Sequence, residues 1–129
     1  MKKFILLPLL LFCVAFAAAQ NKSEIKFDKV VYNFGTFNEN SPVQKCTFTF
    51  TNVGNAPLII NQAVASCGCT VPSYTKSPVM PGKTGQIHIT YNGEGKFPGY
   101  FKKSITVRSN AAIEMVRLYI EGVMTENNK

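Results

Sequence analysis

The stretch Val43-Gln44-Lys45-Cys46-Thr47-Phe48-Thr49-Phe50-Thr51-Asn52 alternates between two kinds of side chain. Gln44, Cys46, Phe48 and Phe50 fall on one face, and Val43, Lys45, Thr47, Thr49 and Thr51 on the other. Successive side chains of an extended chain point to opposite sides, so the pattern predicts a half-buried β-strand with an aromatic inner face and a threonine-rich wet face. Downstream, Asn52-Val53-Gly54-Asn55-Ala56-Pro57 supplies turn residues that let the chain reverse. Leu58-Ile59-Ile60 then starts a further strand that continues toward Ala65.

The same period of two recurs in both directions. Ile25-Lys26-Phe27 and Val30-Val31-Tyr32 read as one or two short strands ending at Phe34-Gly35. After a turn at Pro81-Gly82, Ile87, Ile89 and Tyr91 alternate with Gln86, His88 and Thr90. Asn92-Gly93-Glu94-Gly95 reads as a tight hairpin, Phe101, Ile105 and Val107 share one strand face, and Ser109-Asn110 breaks the chain again. Val116, Leu118 and Ile120 alternate through the last strand. No window of helical length shows a clean helical period. Short strands at regular spacing with turn chemistry between them predict an all-β fold: an immunoglobulin-like two-sheet antiparallel sandwich of about seven strands. A closed barrel is the alternative arrangement. Phe27, Phe34, Phe37, Phe48, Phe50, Phe97 and Phe101 are numerous enough to fill such a core without Trp. For Phe97-Pro98-Gly99-Tyr100 an exposed adhesive patch is the second reading, behind core packing.

The first residues read differently. Lys2 and Lys3 precede an apolar run from Phe4 through Phe16, followed by Ala17-Ala18-Ala19 and Gln20. A basic start, an apolar middle and a small-residue exit are the parts of a secretory signal peptide, here a helix over residues 1–19 removed from the mature chain. The run is short of the roughly 20 apolar residues that a membrane-spanning helix needs. Phe12 stands where a lipoprotein anchor at Cys13 would want a small residue, so Cys13 is assigned to the discarded segment. The organisation expected is therefore a signal peptide over 1–19, one sandwich domain over 20–124 and a flexible tail over 125–129. The mature chain carries 12 basic and 7 acidic residues, a net charge of +5, and no transmembrane segment. Its basic residues are scattered, only Lys102-Lys103 being adjacent, which argues against a nucleic-acid interface and for a solvated surface. Export places the protein in a periplasm or outside the cell, where disulfides persist.

Cys67-Gly68-Cys69 is the one unusual feature. Gly68 removes a side chain and lets the backbone bend, so both sulfurs can approach each other. Three states follow: a Cys67–Cys69 disulfide, a bond from Cys46 to one of the two, or both thiolates on a soft metal such as Cu(I). A purely structural role, bonded or packed, ranks ahead of redox activity, and redox activity ahead of metal binding. Cys46 shares its face with Phe48 and Phe50 and is assigned to the core. Further ligands are scarce: His88 is the sole histidine and lies on an outward face, and Met80, Met115 and Met124 form no cluster with it. One histidine and one aspartate, Asp28, leave a hydrolase triad almost no choice of members, and the glutamates sit near strand ends or turns. No catalytic, cofactor-binding or metal residue is assigned, and no cofactor is expected.

Several segments in order resemble a known family. They are Tyr32-Asn33-Phe34-Gly35, Thr51 through Leu58, Ser66-Cys67-Gly68-Cys69-Thr70, Pro81-Gly82, Ser109-Asn110 and Ile120-Glu121-Gly122-Val123. Together they resemble the bacterial exported family called domain of unknown function 1573, whose hallmark is a Cys-Gly-Cys-Thr stretch. The resemblance implies an immunoglobulin-like sandwich and a periplasmic or surface location, and it carries over no reaction. Cys46 lies outside the family pattern. The functional expectation is an exported, non-enzymatic module that binds other envelope or secreted proteins through loops or free sheet edges. The alternative is a thiol redox or copper-binding protein using Cys67 and Cys69.

Overall fold

A computed structural model describes residues 21–127. The expected signal peptide, with its helix, lies outside these residues. Among the described residues there are eight strands: β1 (Ile25–Phe27), β2 (Val31–Asn38), β3 (Val43–Asn52), β4 (Ile60–Ala65), β5 (Thr70–Tyr74), β6 (Thr84–Asn92), β7 (Gly99–Ser109) and β8 (Met115–Thr125). They form two four-stranded sheets, ordered β1-β3-β6-β5 and β2-β8-β7-β4. The arrangement is an open immunoglobulin-like sandwich and not a closed barrel. Among the described residues no helix is long and apolar enough to cross a membrane.

The alternation of β3 does what its pattern predicts. Cys46, Phe48, Phe50 and Asn52 are buried, while Val43, Lys45 and Thr47 are exposed. From the same sheet Ile87, Ile89 and Tyr91 of β6 join the inner layer, and Ile105 and Val107 of β7 with Leu118 and Ile120 of β8 face them from the other sheet. Each such side chain contributes about 1.5–3 kcal/mol when fully removed from water. At one end of the core Tyr91 stacks on Phe101 with ring centroids 4.1 Å apart, and Phe37 meets both rings edge-on. Gly85 of β6 is needed for close packing, because a Cβ there would lie only 2.3 Å from the Phe50 ring.

The structure corrects the sequence reading in six places. Asn92-Gly93-Glu94-Gly95 does not close a hairpin, since β6 and β7 belong to different sheets and the segment carries the chain across the sandwich. The turn after β3 likewise crosses between sheets. Leu58 precedes β4 and forms an isolated bridge with Val79. β2 continues past Gly35, which at φ +71° sits within a register shift between Asn33 and Thr36 that lets the strand resume to Asn38. β2 also pairs with β8 in parallel, against an otherwise antiparallel pattern. Phe97 is 96% exposed and takes no part in the core, because the crossing segment carries it off the end of the sandwich.

The crossing after β3 is organised by a buried side chain. Asn52 is fully enclosed; its Nδ2 donates to the carbonyls of Ala56 (2.7 Å) and Val79 (2.9 Å). Its Oδ1 accepts from the N–H groups of Gly54 (3.0 Å) and Glu24 (3.4 Å). An amide is the side chain with both donors and acceptors to satisfy such a junction. At the other end of the chain Thr125 still belongs to β8, and the Asn127 N–H donates to Glu39 Oε1 at 2.8 Å.

Candidate functional site

The link from β4 to β5 contains Cys67-Gly68-Cys69, and the two cysteines are joined as a disulfide with Cα atoms 5.3 Å apart. Two backbone hydrogen bonds also anchor this turn. The Thr70 N–H donates to the Cys67 carbonyl (3.2 Å), and the Asn92 N–H of β6 donates to the Cys69 carbonyl (2.8 Å). The Cys69 N–H points at Cys67 Sγ (3.1 Å), while Cys69 Sγ lies 3.7 Å from Thr70 Oγ1. Thr70 is buried, both cysteines are half-buried, and Gly68 is exposed with open space where a Cβ would be. Cys69 packs against the core cluster.

Cys46 is held apart from this pair. It stands opposite Ile89, which stands opposite Pro72, so two strand spacings separate Cys46 from β5. That is roughly 9–10 Å before the offset along the strand to Cys69, beyond the roughly 7 Å Cα reach of a disulfide. Cys46 is a free, buried thiol, and burial pushes its pKa up to about 11, the Lys29 charge opposing weakly.

The remaining candidates are dispersed. His88 lies on the outer face of β6, its Nδ1 3.0 Å from Thr47 Oγ1. Asp28 bonds to β3 on the other side through its N–H to the Thr49 carbonyl, so β3 separates it from His88. Met80 lies beyond the far end of the β5–β6 ladder from the disulfide turn, Met115 is exposed and Met124 is buried. Among the described residues no group of three His, Cys, Asp or Glu side chains is placed to hold a metal. The adjacent lysines diverge: Lys102 is exposed over the Tyr119 ring at 5.0 Å, whereas Lys103 is half-buried on the opposite face.

The four sheet edges are unequal. In β5 the residues whose backbone turns away from β6 are Thr70, Pro72 and Tyr74. The Thr70 N–H is taken by Cys67, Pro72 has no N–H, and Tyr74 sends its Oη to the Asn61 carbonyl of β4 at 3.2 Å. Lys76 covers the Tyr74 ring with its Nζ 3.5 Å from the centroid. A proline and a lysine at an edge are devices that prevent strand addition. β4 turns Ala63 and Ala65 outward, on the side where β5 lies against it. The opposite side of the sandwich has no such protection. Tyr119 donates to the Val30 carbonyl, so Tyr32 turns toward β8 while Val31 and Asn33 turn their backbone groups outward. In β1 the bonds of Glu24 and Asp28 to β3 leave Ile25 and Phe27 outward in the same way. None of these outward groups is bonded to another described residue. Val30 (44%) and Val31 (38%) add exposed apolar surface there.

Sequence reasoning missed β5 and with it Thr70, Pro72 and Tyr74. The available signal was the alternation of Thr70, Pro72 and Tyr74 with Val71 and Ser73, masked by the proline.

Comparison with known proteins agrees with this architecture. A family model described as protein of unknown function (DUF1573) matches residues 25–124. No curated protein matches the chain. Among solved structures, a protein of unknown function from Porphyromonas gingivalis W83 is similar over 84% of this chain, with a TM-score of 0.68 and 13% identity. The chain spans about half the length of that protein, 51%. The ASH/PapD-like domain 7 of human CEP192 is similar over 84% of this chain and 89% of its own, at TM-score 0.65 and 10% identity. The periplasmic chaperone SfaE is similar over 81% of this chain and 58% of its own, at TM-score 0.56 and 10% identity. At these identities the likeness is one of fold.

Proposed function

The chain belongs to the DUF1573 family, and from that premise we propose that it is an exported, non-enzymatic immunoglobulin-like module that holds another envelope or secreted protein. One observation carries the reading: on β5 the Thr70 N–H is taken, Pro72 has none and Lys76 covers the Tyr74 ring, whereas on β1 and β2 the outward N–H groups of Ile25, Phe27, Val31 and Asn33 have no partner among the described residues. An open edge can accept a strand from a partner, the backbone bonds supplying affinity and alternate side chains supplying selectivity. β2 is the longer of the two, and its exposed Val31 would pack beside the side chain opposite it on the added strand. The fold shared with a periplasmic chaperone and a PapD-like domain supports a binding role by analogy only.

The test has two arms. A photo-crosslinking residue placed at Val31 in the producing cell should trap one discrete partner, and the same residue at Val71 on β5 should not. Equal labelling at both positions, or none at Val31, overturns the edge reading. Export is checked separately by intact mass of the protein recovered from the cell envelope, which should begin at Gln20.

A further inference from the structure

The cysteine turn has features that a simple staple does not need. Its backbone bonds, Thr70 N–H to the Cys67 carbonyl and Asn92 N–H to the Cys69 carbonyl, anchor the turn through groups other than the sulfurs. Both backbone bonds can therefore persist when the sulfur–sulfur bond breaks. The two sulfurs also have different surroundings. Cys67 Sγ has the Cys69 N–H 3.1 Å away, a donor that favours a thiolate, and Cys67 adjoins the exposed Gly68, where a Cβ would meet open space. Cys69 packs against the core with the Thr70 hydroxyl 3.7 Å from its sulfur. The third cysteine is excluded from exchange: Cys46 is buried, far away and protonated at ordinary pH.

We propose that Cys67 and Cys69 form a thiol–disulfide exchange site for a cysteine pair on a partner protein, with Cys67 the sulfur that bonds the partner and Cys69 the sulfur that leaves and returns. This goes beyond the binding role above and does not depend on it. In the oxidised form a partner thiolate attacks Cys67 Sγ, the Cys67–Cys69 bond breaks, and Cys69 departs as a thiolate facing the Thr70 hydroxyl. Cys69 then takes a proton from solvent. The partner's second cysteine loses its proton, as the first did before it attacked, and bonds to the first cysteine's sulfur in the mixed disulfide, expelling Cys67 as a thiolate, which takes a proton in turn. In sum the partner dithiol becomes a disulfide and Cys67 and Cys69 become thiols, two electrons and two protons having moved. The same steps in reverse reduce a partner disulfide.

Mature protein equilibrated in mixtures of reduced and oxidised glutathione, then alkylated and weighed, tests this directly. The expected result is a pair that passes from bonded to reduced within the accessible glutathione ratios. A pair that stays fully oxidised at every ratio overturns the proposal. The roles are read from trapping with oxidised glutathione after full reduction. Cys69→Ser should form a glutathione adduct at Cys67 about tenfold faster than Cys67→Ser forms one at Cys69, the difference in thiolate character and access setting the rate. Equal rates overturn the assignment. Thr70→Val, which keeps the shape and removes the hydroxyl, should slow reduction of the pair by dithiothreitol while leaving the alkylation rate of reduced Cys67 unchanged. An unchanged reduction rate removes Thr70 from the scheme.

Discussion

Replacing Asn52 with alanine should destabilise the domain by about 3 kcal/mol, and the size follows from its four bonds. The substitution removes two donors and one doubly used acceptor from a fully enclosed position. The Val79 carbonyl keeps the Leu58 N–H at 2.9 Å, and the exposed Glu24 can turn its N–H to water. The Ala56 carbonyl and Gly54 N–H are left stranded. Each stranded group costs about 1–3 kcal/mol, and both residues are half-buried, so the lower half of that range applies to each. The lost side-chain packing brings the total to about 3 kcal/mol. Urea unfolding of the mature protein would show this as a lower midpoint at unchanged slope. Asn52→Asp sharpens the test. It keeps the acceptor for Gly54 but sets a carboxylate against two carbonyls, which raises its folded pKa above the unfolded value near ~3.9. Stability of that variant is then greatest below about pH 4 and is lost as pH rises through the folded pKa. An alanine variant within about 0.5 kcal/mol of the parent, or an aspartate variant with no such pH trend, would refute the role given to Asn52.

Other consequences are simpler to measure. Gly85→Ala pushes a methyl into the Phe50 ring and should cost about 1–3 kcal/mol, whereas Gly68→Ala meets open space and should leave the unfolding midpoint nearly unchanged. Cys46, with its thiol pushed up to about 11 from 9.0, should react with iodoacetamide at pH 8 at least ~100-fold more slowly in the folded protein than in urea. Because that folded pKa is raised, the neutral thiol's contribution to stability is complete below about pH 9 and is lost as pH rises through about 11.

The parts of the fold that could be read from sequence were those where one face of a strand is dry. β3, β6, β7 and β8 lie inside their sheets, and each shows its buried side chains at every second position. β5 was hidden because Pro72 argues against a strand, and only at an edge, with its missing N–H turned outward, is that objection removed. The crossings were hidden for another reason. Turn residues in Asn52–Pro57 and Asn92–Gly95 say that the chain changes direction, but not whether the next strand pairs with the last or joins the facing sheet. Phe97 was misassigned because composition cannot distinguish a core phenylalanine from one carried out on such a crossing. At the candidate site the Cys-Gly-Cys stretch was evident from spacing, yet the different surroundings of its sulfurs depend on Thr70 and on packing from β6 and the core.

The parallel pairing of β2 with β8 joins Val31 to Tyr119, residues 88 positions apart, and β8 lies inside its sheet. The sheet β1-β3-β6-β5 needs nothing beyond Asn92, whereas the other cannot acquire an interior strand until Thr125 is available. The order in which the chain is made is therefore not an order in which it can be completed. Such non-local closure belongs with folding times of about milliseconds to seconds, so the half-made chain passes through a period with one inner face uncovered. A chain shortened within its last strand would not lose a fringe of the domain; it would lose the strand on which β2 and β7 both close.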